Sequence, residues 1–197
     1  MKNQIQQSIE PEKIRNFYNK VYYKGASPNK KILLHFKRLV SKLPIGKGCR
    51  VLDVACGTGQ WLLAVHDAGC HTAGIDISSK AIEICKINLP DGEFYTGQAE
   101  TLPFEDKRFN LVSCLGALEH FLDPSHALKE MVRTATDDAY FLLLVPNAGF
   151  LTRRLGLFEG TAQFDIKEEW QTLDARKQLF EESGLQIEKR SKDLHIL

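Results

Sequence analysis

The stretch Arg50-Val51-Leu52-Asp53-Val54-Ala55-Cys56-Gly57-Thr58-Gly59-Gln60 constrains this chain most, because an apolar run passes directly into a glycine-rich turn that opens a helix. Arg50 to Ala55 reads as a strand buried on both faces. Gly57 and Gly59 let the backbone turn sharply and approach a ligand where a Cβ would collide. The helix that follows, Gln60 to Ala68, points its unpaired N–H groups at whatever occupies the turn. Such a unit belongs in a parallel sheet flanked by helices.

A second strand, His71 to Asp76, ends in a carboxylate 19 positions after Gly57. That is close to the roughly 20-residue spacing at which an acidic side chain receives ribose hydroxyls. The glycine pattern excludes one obvious nucleotide: dinucleotide oxidoreductases use G-x-G-x-x-G, and here Leu62 stands at the sixth position counted from Gly57. No Tyr-x-x-x-Lys pair occurs either, so nicotinamide chemistry is the weakest of three readings. Beyond Asp76 the pattern continues to alternate. Helix 78–88, strands 93–96 and 109–115, helix 125–134, strand 139–145, helix 167–183 and strand 185–189 follow. Alternation of this kind requires right-handed crossovers and a parallel sheet covered on both sides. Ahead of it, residues 11–24 and 28–43 read as two helices with proline at their starts. In the second, Ile32, Phe36, Leu39, Val40 and Leu43 recur at helical spacing, while Lys30, Lys31, Lys37, Arg38 and Lys42 fall largely on other faces.

Asp53-Val54-Ala55-Cys56-Gly57-Thr58-Gly59 resembles the first motif, D-x-G-C-G-x-G, of the class I S-adenosylmethionine-dependent methyltransferases, with Ala55 in place of the first glycine. Gly74-Ile75-Asp76-Ile77-Ser78 is similar to the second motif, Gly97 to Phe104 to the third, and Phe109 to Val112 running on to Leu118-Glu119-His120-Phe121 to the fourth. The order is also the family's, and the closest resemblance is to its small-molecule type 11 group. It covers roughly Arg50 to Asn147. The resemblance implies an α/β fold: a doubly wound, mostly parallel Rossmann-like sheet with helices on both faces and an N-terminal helical cap. We expect one domain, with residues 1–46 as cap and 47–197 as core, and a chain that stops too soon for a full seventh strand.

The resemblance also implies site roles. Asp53, Ala55, Cys56, Gly57 and Gly59 would line the methionine and ribose side of S-adenosylmethionine. Asp76 would take both ribose hydroxyls, the alternative being a cap for the helix at Ser78. Ile77 would pack on the adenine. Gln98 stands where the family has Asp and would accept from the adenine amino group, with Ala99 and Glu100 bordering the base. Leu115 would offer its carbonyl, and Tyr18 would cover the methionyl end from the N-terminal helix, where an aromatic face suits a sulfonium. His120 is the candidate general base, because imidazole exchanges protons near neutral pH; a cofactor-orienting or purely structural role is the other reading. The quinone-type relatives admit a divalent metal held by Glu119, His120 and Asp123, but three candidate ligands within five residues just past a strand prove little, and no metal site is expected.

Composition bounds the rest. At 197 residues and 43% hydrophobic content the chain can bury one sizeable core. Cys49, Cys56, Cys70, Cys85 and Cys114 are odd in number and scattered, which suggests neither disulfides nor zinc and fits a reducing cytoplasm. No run of about 18 apolar residues occurs, so no membrane span is expected. Residues 1–50 hold nine Lys and three Arg against two Glu, although the whole chain sums to only +1. That asymmetry suits either solvated helix faces or an acidic partner. The expected activity is methyl transfer from S-adenosylmethionine to a small-molecule acceptor, in a monomer or homodimer. Nucleic acid is not expected, since no Asn/Asp-Pro-Pro-aromatic signature follows the fourth strand. The competing reading is a non-catalytic cofactor-binding module that docks through its basic N-terminal helices. The long connection Asn147 to Glu168 is expected to act with Tyr18 as a lid.

Overall fold

The computed structural model describes residues 11–145 and 172–190. Five strands, β1 (Arg50–Val54), β2 (His71–Asp76), β3 (Glu93–Thr96), β4 (Phe109–Leu115) and β5 (Ala135–Leu144), pair in parallel in the order β3-β2-β1-β4-β5. Two helical segments precede the sheet: α1 (Pro11–Phe17), continued by a π-helical turn at Tyr18–Tyr22, and α2 (Leu34–Val40). Between and after the strands lie α3 (Gln60–Asp67), α4 (Ser79–Asn88), α5 (Pro124–Thr134) and α6 (Leu173–Glu182).

Strands that are apolar on both faces need helices on both faces, and the sheet divides its side chains accordingly. Leu52, Val54, Ile75 and Val112 pack with Leu128 and Met131 of α5, and Leu179 and Phe180 of α6 close that side. Val51 and Leu111 pack instead with Leu62 and Val65 of α3 and Ile82 of α4, beneath Phe36 and Leu39 of α2. The amphipathic face read for the second N-terminal helix is therefore the face it buries. The sheet is doubly wound, as the alternation required. β1 lies between β2 and β4, so the strand order reverses at its carboxyl end, which is where open α/β sheets leave a crevice.

Two of the elements that differ from the sequence reading lie at the ends of the described chain. The helix expected over residues 28–43 is formed only at Leu34–Val40, and Pro28 to Leu33 run without helix. Side chains from the core hold that stretch open: the Asn29 N–H donates to Asn88 Oδ1 (3.0 Å), and Gln60 Nε2 donates to the Asn29 carbonyl (2.7 Å). The strand expected at 185–189 joins no sheet among the described residues. After Gly184 the segment half-buries Leu185 and Ile187 and leaves Gln186, Glu188 and Lys189 exposed. The expected lid Asn147 to Glu168 lies outside the described residues.

Candidate functional site

The turn after β1 sets the floor of the site. Gly57 (φ 54) and Gly59 (φ 78) both take left-handed backbone, and a Cβ at Gly59 would meet Cys85 Sγ at 2.5 Å. Ala55 takes the same region (φ 62) although it carries a Cβ. The Asp76 carboxylate ties this turn to β2. Its Oδ2 accepts the Gly57 N–H (2.9 Å) and its Oδ1 accepts the Ser78 N–H (2.8 Å). Ser78, not Asp76, caps α4, its hydroxyl accepting the Ala81 N–H. Burial pushes the Asp76 carboxyl above its usual range, against the pull of those two N–H donors.

A cavity of about 170 Å³ opens above the carboxyl ends of β1, β2 and β4. Nine of the residues expected at the site line it: Tyr18, Ala55, Asp76, Ile77, Gln98, Ala99, Glu100, Leu115 and His120. Asp53, Cys56, Gly57 and Gly59 do not. Asp53 is 3% exposed and belongs to a chain of hydrogen bonds that links α3, β4 and β1: Trp61 Nε1 donates to Ser113 Oγ (3.0 Å), which donates to Asp53 Oδ1 (2.6 Å). Burial raises its carboxyl to about 7, against the lowering effect of that hydroxyl. The Cys56 thiol is pushed well above its usual range, first by its hydrogen bond with Cys85 and then by burial, which makes it packing rather than chemistry.

Sequence reasoning missed three aromatics: Phe121, next to His120, and two in the N-terminal segment. Tyr22 and Tyr23 line the cavity beside Tyr18, and the Tyr23 hydroxyl lies 2.9 Å from where a Gly57 Cβ would stand. Burial, and next the Asp76 carboxylate, raise its phenol far above the ordinary tyrosine range. The signal was present in the run Phe17-Tyr18-Asn19-Lys20-Val21-Tyr22-Tyr23, but the π-helical turn rotates it away from the 3.6-residue spacing that an α-helix would impose.

The opposite wall is the loop after β3. Gln98, Ala99 and Glu100 face the cavity. Glu100 Oε1 accepts the Leu122 and Asp123 N–H groups (2.9 and 3.1 Å), latching this loop to the segment that carries His120. Arg133 of α5 holds the loop from behind, donating to the Leu102 and Phe104 carbonyls (3.0 and 2.9 Å) and pairing with Glu130 and Asp106. His120 ends a 3-10 turn, Leu118–His120, and is 8% exposed. Glu119 is buried and does not line the cavity. Among the described residues no group of three or more His, Cys, Asp or Glu side chains is placed to hold a metal ion.

A carboxylate at the end of β2, a glycine turn after β1 and a loop wall after β3 form one cavity at the switch point of a 3-2-1-4-5 sheet. The methyltransferase domain family matches residues 28–190 of this sequence. The chain belongs to that family. Among curated proteins it is similar to the demethylmenaquinone methyltransferases of Staphylococcus aureus strain MRSA252 (37% identity over 103 residues, 49% of this chain and 43% of that protein) and of Renibacterium salmoninarum (40% over 86 residues, 44% and 36%). The match spans less than half the length of either relative. Among solved structures, a SAM dependent methyltransferase from Aquifex aeolicus superposes with a TM-score of 0.64 over 91% of this chain and 90% of that one, at 15% identity. That likeness shows the methyltransferase fold.

The family's cofactor can be tested against this cavity. Each Asp76 oxygen accepts one backbone N–H. A carboxylate has about four lone-pair sites, so each oxygen keeps capacity for one ribose hydroxyl. Gln98 offers an amide carbonyl as acceptor, and Ile77 and Ala99 offer apolar contact for a purine. The donor and acceptor set fits S-adenosylmethionine.

Proposed function

We propose that this protein transfers a methyl group from S-adenosylmethionine to an oxygen, nitrogen or carbon atom of a small ring-containing acceptor. The observation that carries the reading is the gathering of Asp76, Ile77, Gln98, Ala99, Glu100, Leu115 and His120 around one cavity. When bound, S-adenosylmethionine supplies a methyl group already activated by its sulfonium. The chain's own residues then have a modest task. Asp76 fixes the ribose, Gln98 and the Ala99–Glu100 backbone fix the adenine edge, and the Leu115 carbonyl receives the amino group. Tyr18 and Tyr22 wall the methionyl end. Holding donor and acceptor in line can supply about 7–11 kcal/mol of the barrier, so no strong base is required. His120 takes the acceptor's proton where the acceptor atom carries one.

The acceptor class follows from the wall opposite the adenosine. Ile14, Tyr22 and Phe121 contribute apolar and aromatic surface there, which suits a flat, largely apolar ring. The curated relatives are named for demethylmenaquinone, a molecule of that type. Titration calorimetry with S-adenosylhomocysteine tests the cofactor, and release of S-adenosylhomocysteine in the presence of a short-chain demethylmenaquinone tests the acceptor. One-to-one binding together with turnover is expected. Absence of binding at millimolar ligand, with NAD binding instead, overturns the reading.

A further inference from the structure

The N-terminal segment, residues 11–40, carries a surface that methyl transfer leaves unused. It is fastened along α4 at several points: Asn19 Oδ1 accepts from the Ser78 hydroxyl (2.7 Å), Lys80 Nζ donates to the Lys24 carbonyl (2.7 Å), and the Asn29 N–H donates to Asn88 (3.0 Å). Half-buried Ile32 and Phe36 pack against the core of the α3 side. The outward side should then be polar, yet it exposes large apolar groups: Val21 (61%), Tyr22 (54%) and Leu34 (62%), with Leu33 at 37% and Ile87 of α4 at 55%.

Close to these groups along the chain are Lys20, Lys24, Lys30, Lys31 and Lys86, all exposed. None of the five is paired with a carboxylate among the described residues; Lys37, farther along, pairs with Asp67 at 3.0 Å. α4 contributes a single carboxylate, Glu83. Protruding apolar side chains interspersed with exposed lysines are the composition that seats a protein at the boundary between lipid headgroups and acyl chains, where tyrosine is also at home. A nucleic acid would leave Val21, Leu33, Leu34 and Ile87 without a counterpart.

We propose that the face made by Lys20–Leu34 and the last turn of α4 docks this protein on an anionic lipid bilayer, with Val21, Leu33, Leu34 and Ile87 entering the interface and the lysines meeting the headgroup phosphates. Tyr22 lies on this face and also lines the cavity, so a docked molecule presents its cavity mouth to the membrane. The docking itself does not depend on methyl transfer.

Co-sedimentation of the full chain with phosphatidylcholine vesicles, with and without phosphatidylglycerol, tests the surface. Binding is expected only with phosphatidylglycerol, and is expected to be lost as salt shortens the screening length from about 10 Å at 0.1 M to about 3 Å at 1 M. The double variant Lys30→Ala/Lys31→Ala should weaken binding about thirtyfold, each lysine near an anionic surface contributing roughly fivefold. Leu33→Ser/Leu34→Ser should weaken it at least about tenfold through lost apolar contact, and both variants should keep the melting temperature and the S-adenosylhomocysteine affinity of the parent. Equal binding to neutral vesicles overturns the proposal, as does no binding to anionic vesicles at low salt, indifference to both variants, or a concentration-dependent dimer that the leucine variant abolishes. A failure here leaves cofactor binding untouched, so it is distinguishable from a failure of the methyltransferase reading.

Discussion

Ala55 holds a left-handed backbone (φ 62) at the first position of a turn whose other two left-handed residues are glycines. An L-residue there is strained by roughly 1–2 kcal/mol, and its methyl group also lines the cavity. Ala55→Gly should therefore stabilise the fold by about 1 kcal/mol, after allowing for the greater freedom of glycine in the unfolded chain. A shift of the urea midpoint to higher concentration checks it, and a downward shift shows that the Ala55 methyl group contributes more by packing than it costs in strain. Asp76 carries two loads at one residue. From sequence alone its replacement should cost cofactor affinity and spare the fold, but its carboxylate also accepts the Gly57 and Ser78 N–H groups. Asp76→Ala strands both donors, so it should lower stability by about 2–4 kcal/mol while also weakening S-adenosylhomocysteine binding. Denaturation and calorimetry, done at a temperature where the variant stays folded, separate the two losses. An unchanged stability contradicts the bracing role.

The elements that sequence made legible are those whose pattern is set by burial. β1, β2 and β4 begin and end within a residue of their expected limits, because a parallel strand covered on both sides is apolar along nearly all its length; the edge strand β3 also falls where expected, with only Phe94 buried. Elements set by long-range side-chain contacts were not legible. Nothing local tells that Asn88, 59 positions away, will take the Asn29 N–H and hold Pro28 to Leu33 out of a helix. β5 starts at Ala135, four residues early, running straight out of α5 with a register break opposite Asn110; two adjacent aspartates, Asp137 and Asp138, concealed it. The site followed the same division. Motif residues on strand ends reached the cavity, whereas Tyr22 and Tyr23 reached it through a π-turn that no periodicity announces. Arg133 was invisible for the same reason, since its partners Leu102, Phe104 and Asp106 lie 27 to 31 positions away. Arg133→Gln should cost about 2–3 kcal/mol, the usual value of hydrogen bonds to a charged group. It should also slacken the loop that carries Gln98 to Glu100. Faster amide exchange over residues 98–104 and a severalfold weaker S-adenosylhomocysteine affinity are the expected readouts. Exchange unchanged in that loop shows that α5 does not set its position.

Across the whole molecule, pH dependence of stability falls into two limbs of opposite sign. Glu93 and Glu130 are held below the usual carboxylate range, first by their hydrogen bonds to Arg108 and Arg133. Groups with lowered values contribute stability above their ordinary range and lose it in acid, which sets the acid limb. Asp53 acts in the other direction. Its folded carboxyl lies at about 7 against an ordinary 3.8, because it is buried. The folded state therefore holds its proton longer than the unfolded chain does. That contribution is complete below about pH 4 and is lost as pH rises through about 7. Both protonation states are accommodated locally: ionised Asp53 accepts from the Ser113 hydroxyl, and neutral Asp53 can donate to that oxygen while Ser113 turns its proton to the Leu52 carbonyl, 3.2 Å away. The network therefore survives titration, and what changes is the cost of a buried charge. At 1.36 kcal/mol per unit, the shift amounts to about 4 kcal/mol at most. Asp76, raised in the same direction by burial, adds to this limb. Urea unfolding of the parent should thus show stability falling from mildly acid to neutral pH, and Asp53→Asn, which keeps an oxygen for Ser113 and cannot ionise, should flatten most of that fall. The comparison rests on the slope rather than on absolute stability, since the new amide group has its own packing cost. An unaltered slope in the variant means that Asp53 is already ionised in the folded protein at low pH, and the neutral core carboxyl inferred here is wrong.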